Sequence, residues 1–180
     1  QAALEGRDFG VRLSRWPSMP PHRFTVRLFH PRKPIALSDV LPLAENLGLR
    51  VLSEAPFQLQ AAEKGRDSVA LQVLRVETQD KSPVDLAAVG PRFVDTLEHL
   101  WAGTLENDGL NKLVLGAGLA WREVALVRAY AKYLRQAGIP FSQDYMERAL
   151  VAYPPIARGM VDLFVARFDP VLGDTREARI

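Results

Sequence analysis

The hydrophobic pattern of this chain changes its period near residue 107, and this change limits the folds available to it. Before that point, apolar residues recur at every second position, as in Phe24, Val26 and Leu28, which is typical of strands with one buried face. After it, they recur at spacings of three and four, which is typical of helices. The sequence therefore predicts an α+β chain in which strands come first and a helical segment follows.

Four strands are expected in the first hundred residues. The segments 9–13 and 24–28 are short alternating runs, and the segments 49–60 and 68–77 are longer ones. Pro56 should make the third strand irregular, because proline cannot donate a hydrogen bond to a sheet ladder.

Two helices are expected among these strands. Ser38 is placed to cap the first helix, which should end at Asn46. Pro91 suits the first turn of the second helix. The resulting order of strand, strand, helix, strand, strand and helix predicts a four-stranded antiparallel sheet with both helices on one face.

About four further helices are expected after residue 107. Asn107-Asp108 can cap a short helix, a long one should span 121–136, and Ser142 can cap another over 143–152. The last begins at Pro154, and its apolar stripe comprises Ile156, Met160, Leu163, Phe164 and Phe168. The predicted division is an α+β module over 1–106, a helical module over 107–172 and a flexible tail over 173–180.

Composition restricts the possible functions. The 180 residues include no cysteine, 48% are hydrophobic, and the formal net charge is only +2, so thiolate chemistry is excluded and no strong electrostatic signal for nucleic acid exists. No apolar run approaches the roughly 20 residues of a membrane span. We expect a cytoplasmic location without nucleic-acid or membrane partners. The first residues, from Gln1, are expected to be the cut end of a longer chain.

The turn Gly116-Ala117-Gly118 resembles the start of a dinucleotide-binding motif. That motif needs a third small residue where helix and strand pack closely, and an acidic residue after a second strand about 20 positions on. Here the third position is Trp121, and no second strand follows. We therefore expect the two glycines to let two helices meet at a sharp angle.

The helix over 121–136 has a wide apolar arc, which indicates a central position in a bundle. Arg128, Lys132 and Arg135 group on the opposite side, where a solvated face is the expected interpretation and nucleic-acid binding the alternative. Glu123 falls in the first turn, where the helix dipole favours a carboxylate.

Catalytic and metal-binding patterns are absent from the sequence. His22, His30 and His99 have no metal-ligand spacing, and no serine stands in a nucleophile-elbow context. Catalysis by this segment alone is not expected, and neither a metal nor a cofactor is expected on it.

Several long, irregular motifs carry a family resemblance. They are NKLVL at 111–115, the run from GLAWREVALVRAY to YMERAL at 118–150, FVARFDP at 164–170, LSDVLPLAENLGLRVLSEAPF at 37–57 and ENDG at 106–109. Taken together in their chain order, these motifs resemble the large bacterial NAD-specific glutamate dehydrogenases.

This resemblance implies a role within a much longer enzyme. Such chains carry ACT-type and helical modules in their N-terminal half, and a catalytic domain that binds NAD follows later. The present chain resembles the last ACT-like module plus the following helical region, so the implied fold is ACT/ferredoxin-like. It implies a non-catalytic regulatory or oligomerisation segment, whose partners are other modules of the same chain and further copies in a homo-oligomer. Candidate interface residues are Trp101, Trp121, Tyr130 and Tyr133.

An alternative implied by the resemblance is an ACT-type module that binds a free amino-acid effector. The candidate loop contains Pro34, Ile35, Ser38 and Asp39. Effector-binding members place a glycine after the proline, whereas Ile35 is β-branched and blocks close backbone approach.

An ACT unit also ends in a strand, and none follows the second helix here. We expect the strand at 9–13 to fill that vacant edge, which gives a permuted four-stranded sheet.

Overall fold

A computed structural model of the chain describes residues 8–31, 33–60 and 68–170. Its first half is a four-stranded antiparallel sheet with the strand order β1-β2-β4-β3. The strands are β1 (Gly10–Ser14), β2 (Arg23–Pro31), β3 (Leu49–Leu59) and β4 (Val69–Thr78).

The first strand occupies the sheet edge that the ACT pattern left vacant. β1 pairs antiparallel with β2, from Gly10 opposite Phe29 to Ser14 opposite Thr25. This pairing confirms the permuted arrangement, because the missing strand is supplied from the N-terminal side. Phe9 and Val11 are buried against the helices as the alternating pattern predicted, and the predicted fold class is confirmed.

The irregularity in β3 is not at the predicted position. Pairing with β4 shifts between Val51 and Ser53, whereas Pro56 stays in register opposite Gln72. β3 is an edge strand with one neighbour, so it tolerates proline where the missing N–H points away from the ladder. The extra residue, Leu52, forms the bulge instead.

The first helix, α1 (Leu37–Asn46), ends as predicted but is not capped by Ser38. Its N-cap is Ala36, which provides no side-chain hydrogen bond. Ser38 lies inside the first turn, with its hydroxyl 3.4 Å from Asp39 Oδ1. The prediction was wrong by two positions because Ile35 is pulled into the core ahead of the helix.

The second helix, α2 (Leu86–Trp101), begins earlier than Pro91 predicted. The Asp85 carboxylate caps it by accepting the N–H groups of Ala87 and Ala88. Pro91 therefore lies inside the helix, where its missing N–H leaves one helical hydrogen bond unmade. Asp85, six residues before Pro91, was the stronger start signal.

The helical half follows the predicted order. A short 3-10 helix (Gly109–Lys112), capped by Asp108, continues into α3 (Leu113–Gly116). The remaining helices are α4 (Trp121–Gln136), α5 (Gln143–Ala152) and α6 (Pro154–Phe168). Ser142 caps α5 as predicted, because its Oγ accepts the Tyr145 N–H at 3.1 Å.

The predicted apolar stripe of α6 is only partly buried. Ala157 and Val161 make its buried contacts, whereas Met160 and Phe164 are half-buried. Ile156 is 57% exposed, and Leu163 and Phe168 are also exposed. The small side chain of Ala157 lets α6 approach its neighbours closely, which leaves the larger residues at the edge of the contact.

One hydrophobic cluster runs through both halves of the fold. It connects residues beneath the sheet, such as Phe24 and Phe93, with Leu113 and Val124 in the helical part. Phe24 and Phe93 pack edge to face at 6.1 Å. The predicted tail over 173–180 lies outside the described residues.

Candidate interaction surfaces

The loop that enters α1 is held by hydrogen bonds from the protein itself. The backbone N–H of Ile35 donates to Gln72 Oε1, and Gln72 Nε2 donates to the Ile35 carbonyl, both at 2.8 Å. Ile35 is buried, whereas Pro34, Ser38 and Asp39 are exposed. Both backbone groups that an effector could use at Ile35 are therefore already bonded.

The glycine turn presents carbonyl groups to a cation. Gly118 has a φ of +61°, and Arg158 Nη2 donates to the carbonyls of Ala117 and Gly118 at 3.1 and 2.8 Å. A phosphate cradle instead needs free N–H groups at the helix start. The turn joins two helices, as predicted.

The start of α4 is closed by a carboxylate. Glu123 Oε2 accepts the Ala120 N–H at 2.7 Å, and Glu123 Oε1 pairs with Arg158 at 3.1 Å. The predicted dipole-favoured placement of Glu123 is confirmed.

Two of the predicted interface residues are half-buried and contact rings within the chain. The Trp101 ring stacks on Phe9 with centroids 4.8 Å apart, next to the strand that completes the sheet. The ring centroids of Trp121 and His99 are 4.2 Å apart, and the Arg122 guanidinium lies 4.4 Å from the centroid of the Trp121 ring.

The two predicted tyrosines differ in exposure. Tyr130 is half-buried and meets Phe164 edge to face at 6.3 Å. Tyr133, one helical turn further, is 64% exposed. Only Tyr133 of these four candidates therefore presents most of its side chain to a partner.

Besides Tyr133, the helical half exposes a larger set of apolar residues. Phe141 and Tyr145 stack on each other at 4.9 Å, although each is 50% exposed. We call the set the α4–α6 surface: Tyr133, Leu134, Ile139, Phe141, Tyr145, Tyr153, Ile156, Leu163, Val165 and Phe168. Sequence reasoning missed most of it, because periodicity does not say which apolar residues stay outside the core.

The basic side of α4 is only in part the solvated face that was predicted, since Lys132 and Arg135 are exposed but Arg128 is not. Arg128 is buried, and it donates to Asp108 at 2.5 and 2.9 Å and to Asn111 Oδ1 at 3.0 Å. Lys132 pairs with Glu106 at 2.5 Å. The prediction was wrong for Arg128 because the acidic connection before the 3-10 helix folds back over α4.

A buried carboxylate that sequence reasoning did not single out lies at one end of the sheet. Glu77 is fully buried beneath the side chains of Arg23, Arg50 and Lys81, with which it forms ion pairs. Hydrogen bonds from Lys81, and then from Arg50 and Arg23, lower the pKa of the Glu77 carboxyl from 4.5 to about 2.

Within the described part of the chain, no group of three His, Asp or Glu side chains could hold a metal ion. No single helix there is long and apolar enough to cross a membrane; α5 and α6 pass that test only as a pair, and they are bent by 98° relative to each other.

Comparisons with known proteins match nearly the whole described chain. The family model "Glutamate dehydrogenase, ACT3 domain" matches residues 8–89, and "Glutamate dehydrogenase, helical motif 3" matches residues 105–170. The chain is also similar to proteins named NAD-specific glutamate dehydrogenase, three of which are described next.

The relative from Halomonas elongata is 40% identical over 166 residues, which is 92% of this chain and 10% of that protein. The relative from Pseudomonas aeruginosa is 44% identical, covering 79% of this chain and 9% of that protein. The relative from Mycobacterium tuberculosis is 39% identical, covering 76% and 9%. The chain thus spans about a tenth of the length of these relatives.

Proposed function

Because the chain belongs to the family of NAD-specific glutamate dehydrogenases, we propose that it is a non-catalytic segment that regulates and assembles an enzyme of this kind. The complete cytoplasmic enzyme converts glutamate, NAD and water to 2-oxoglutarate, ammonium and NADH. NAD binds in a catalytic domain elsewhere in that protein. The segment contributes contacts to other modules and to further copies.

The observation that carries this proposal is the α4–α6 surface. Ten large apolar side chains are exposed between Tyr133 and Phe168, and exposed apolar surface of this kind in a soluble protein favours contact with a partner. The stacked pair Phe141 and Tyr145, with Ile156 on the following helix, supplies aromatic and aliphatic side chains of the kind enriched in interface cores. Burying them against another module removes apolar area from water at about 25 cal/mol per Å².

Charge substitutions in the full-length enzyme test this role. Ile156→Glu and Leu163→Glu place charges on the exposed edge of α6, and we expect loss of assembly in analytical ultracentrifugation together with reduced activity. Trp16→Glu is the matched control, because Trp16 is exposed on the sheet half instead. Unchanged assembly in both α6 variants would overturn the proposal.

Binding of a free amino-acid effector is the second candidate, and the ACT-like fold favours it. The bonded state of Ile35 argues against it at the loop entering α1. A thermal-shift screen against the amino acids separates the two, because a ligand at 100 times its Kd stabilises the folded state by about 2.7 kcal/mol. If no amino acid shifts the melting temperature, this candidate is removed.

A further inference from the structure

The sheet has one face that the described helices leave open. Side chains alternate between the faces of a strand, and directly paired residues share a face. Phe24, Val26 and Leu74 point to the core. The residues at the alternate positions of each strand therefore point to the opposite face. We call this set the open face: Arg12, Ser14, Thr25, Arg27, Phe29, Ala55, Phe57, Leu59, Val69, Leu71, Val73 and Arg75.

One half of the open face carries arginines without carboxylate partners. Arg12 is paired directly opposite Arg27, and Arg75 lies in the neighbouring row, opposite Thr25. Within the described residues, none of the three arginines forms an ion pair; the Arg27 guanidinium donates only to Ser14 Oγ, at 2.5 Å. Like charges directly across a sheet are destabilising, so this half favours an anionic partner.

Several other basic residues of the chain have a carboxylate partner. Arg23 and Arg50, in the end row of the same sheet face, share Glu77. Arg128 has Asp108, and Arg158 has Glu123. The three open-face arginines lack such a partner among the described residues, and unlike the exposed Arg135 they are grouped in two neighbouring rows of one sheet face.

The other half of the open face is apolar. Phe29, Leu71 and Val73 on the central strands are half-buried. On the edge strand β3, Phe57 is 51% exposed and Leu59 is 44% exposed. The basic and apolar halves are adjacent rows of one sheet, so a single partner can cover both.

We propose that the open face docks an acidic protein surface from another part of the longer enzyme, an inference that rests on the proposed function. Carboxylates of that surface face Arg12, Arg27 and Arg75, and apolar side chains next to them cover Leu71 and Phe57. A polypeptide matches both halves. A nucleic acid matches the basic half and could stack on Phe57, but Leu59, Leu71 and Val73 offer its bases no further ring.

Hydroxyl-radical footprinting of the full-length enzyme tests this docking. We expect Phe57 and Leu59 to be oxidised several-fold more slowly than their exposed fractions here imply. The double variant Arg12→Glu/Arg75→Glu should raise their oxidation at least threefold, whereas the control Arg135→Glu, at an exposed arginine of α4, should not. In the wild-type enzyme, 0.5 M NaCl should also raise it, because salt screens exposed ion pairs.

Each other outcome overturns the inference. Full oxidation of Phe57 in the wild-type enzyme means that nothing covers the face. Protection that disappears with ribonuclease indicates a nucleic acid, and protection that disappears on dilution to monomers indicates a second copy. The oxidation of Phe141 and Tyr145 reports on the α4–α6 surface in the same experiment. Full oxidation of these two residues would contradict the proposed function, whereas full oxidation of Phe57 would contradict this inference.

Discussion

The side-chain amide of Gln72 forms two hydrogen bonds with the backbone of Ile35, one donated and one accepted, both at 2.8 Å. Gln72 lies on the core face of β4. Its amide bonds both the N–H and the carbonyl of Ile35 in the loop entering α1, as the backbone of a neighbouring strand would. Gln72 Nε2 also lies 3.1 Å from Glu54 Oε1. The loop geometry therefore depends on a residue 37 positions away in the chain.

Replacing Gln72 by Leu should lower the free energy of unfolding by about 1–3 kcal/mol, because the buried N–H of Ile35 loses its acceptor. Urea denaturation measures the change. Gln136→Leu at the exposed end of α4 is the control, and an effect of Gln72→Leu no larger than this control would contradict the interpretation.

Replacing Arg128 by Met should destabilise the protein by about 3 kcal/mol, because the substitution breaks a largely buried charge pair and leaves the Asp108 carboxylate without its arginine partner. Arg135→Met on the same helix should change stability by no more than about 0.5 kcal/mol, since Arg135 is exposed. Equal midpoints for the two variants in urea would show that Arg128 is solvated after all.

Glu77 should make stability depend on pH in acid. Its folded pKa, about 2, lies below the ordinary value of 4.5, so the unfolded chain binds the proton first as pH falls. The contribution of the carboxylate is complete above pH 4.5 and is lost as pH falls through about 2. Melting temperatures of the wild type and Glu77→Gln should therefore differ most at neutral pH and converge in this window. A constant difference would be inconsistent with the lowered pKa.

Asp85 caps α2 whereas Ser38 does not cap α1, and this difference can be measured directly. Asp85→Ala should lower stability by about 1 kcal/mol, because two N–H groups at the start of α2 lose their acceptor. Ser38→Ala should have little effect, since its hydroxyl caps nothing. Thermal unfolding of both variants gives the comparison, and the reverse order of effects would restore the sequence-based assignment.

Two glycine substitutions should have opposite signs. Gly118→Ala forces a residue with Cβ into a φ of +61°, at a cost of about 1 kcal/mol. Gly159 lies within α6, and a Cβ added there would have no atom within 4 Å other than those of its chain neighbours and the adjacent helix backbone. Gly159→Ala should therefore stabilise the helix by about 0.5–1 kcal/mol. The same unfolding assay measures both, and equal signs would show that Gly118 does not require its left-handed conformation.

The secondary structure could be predicted from local patterns. Alternation identified β2 from Phe24, Val26 and Leu28, and Ser142 marked the start of α5 because a cap acts within one turn. The competing signals at Ser38 and Pro91 were less reliable, since each residue is compatible with more than one position near a helix start.

By itself, the sequence determined the period of each segment, the ACT-like order of elements and the family to which the chain belongs, because these depend on neighbouring residues and on long motifs. Only the tertiary structure decided which apolar face of α6 meets the core, that Arg128 is buried on Asp108, and that Arg12 and Arg27 lie opposite each other. Burial and charge pairing depend on residues far apart in the chain, whose proximity no local pattern records.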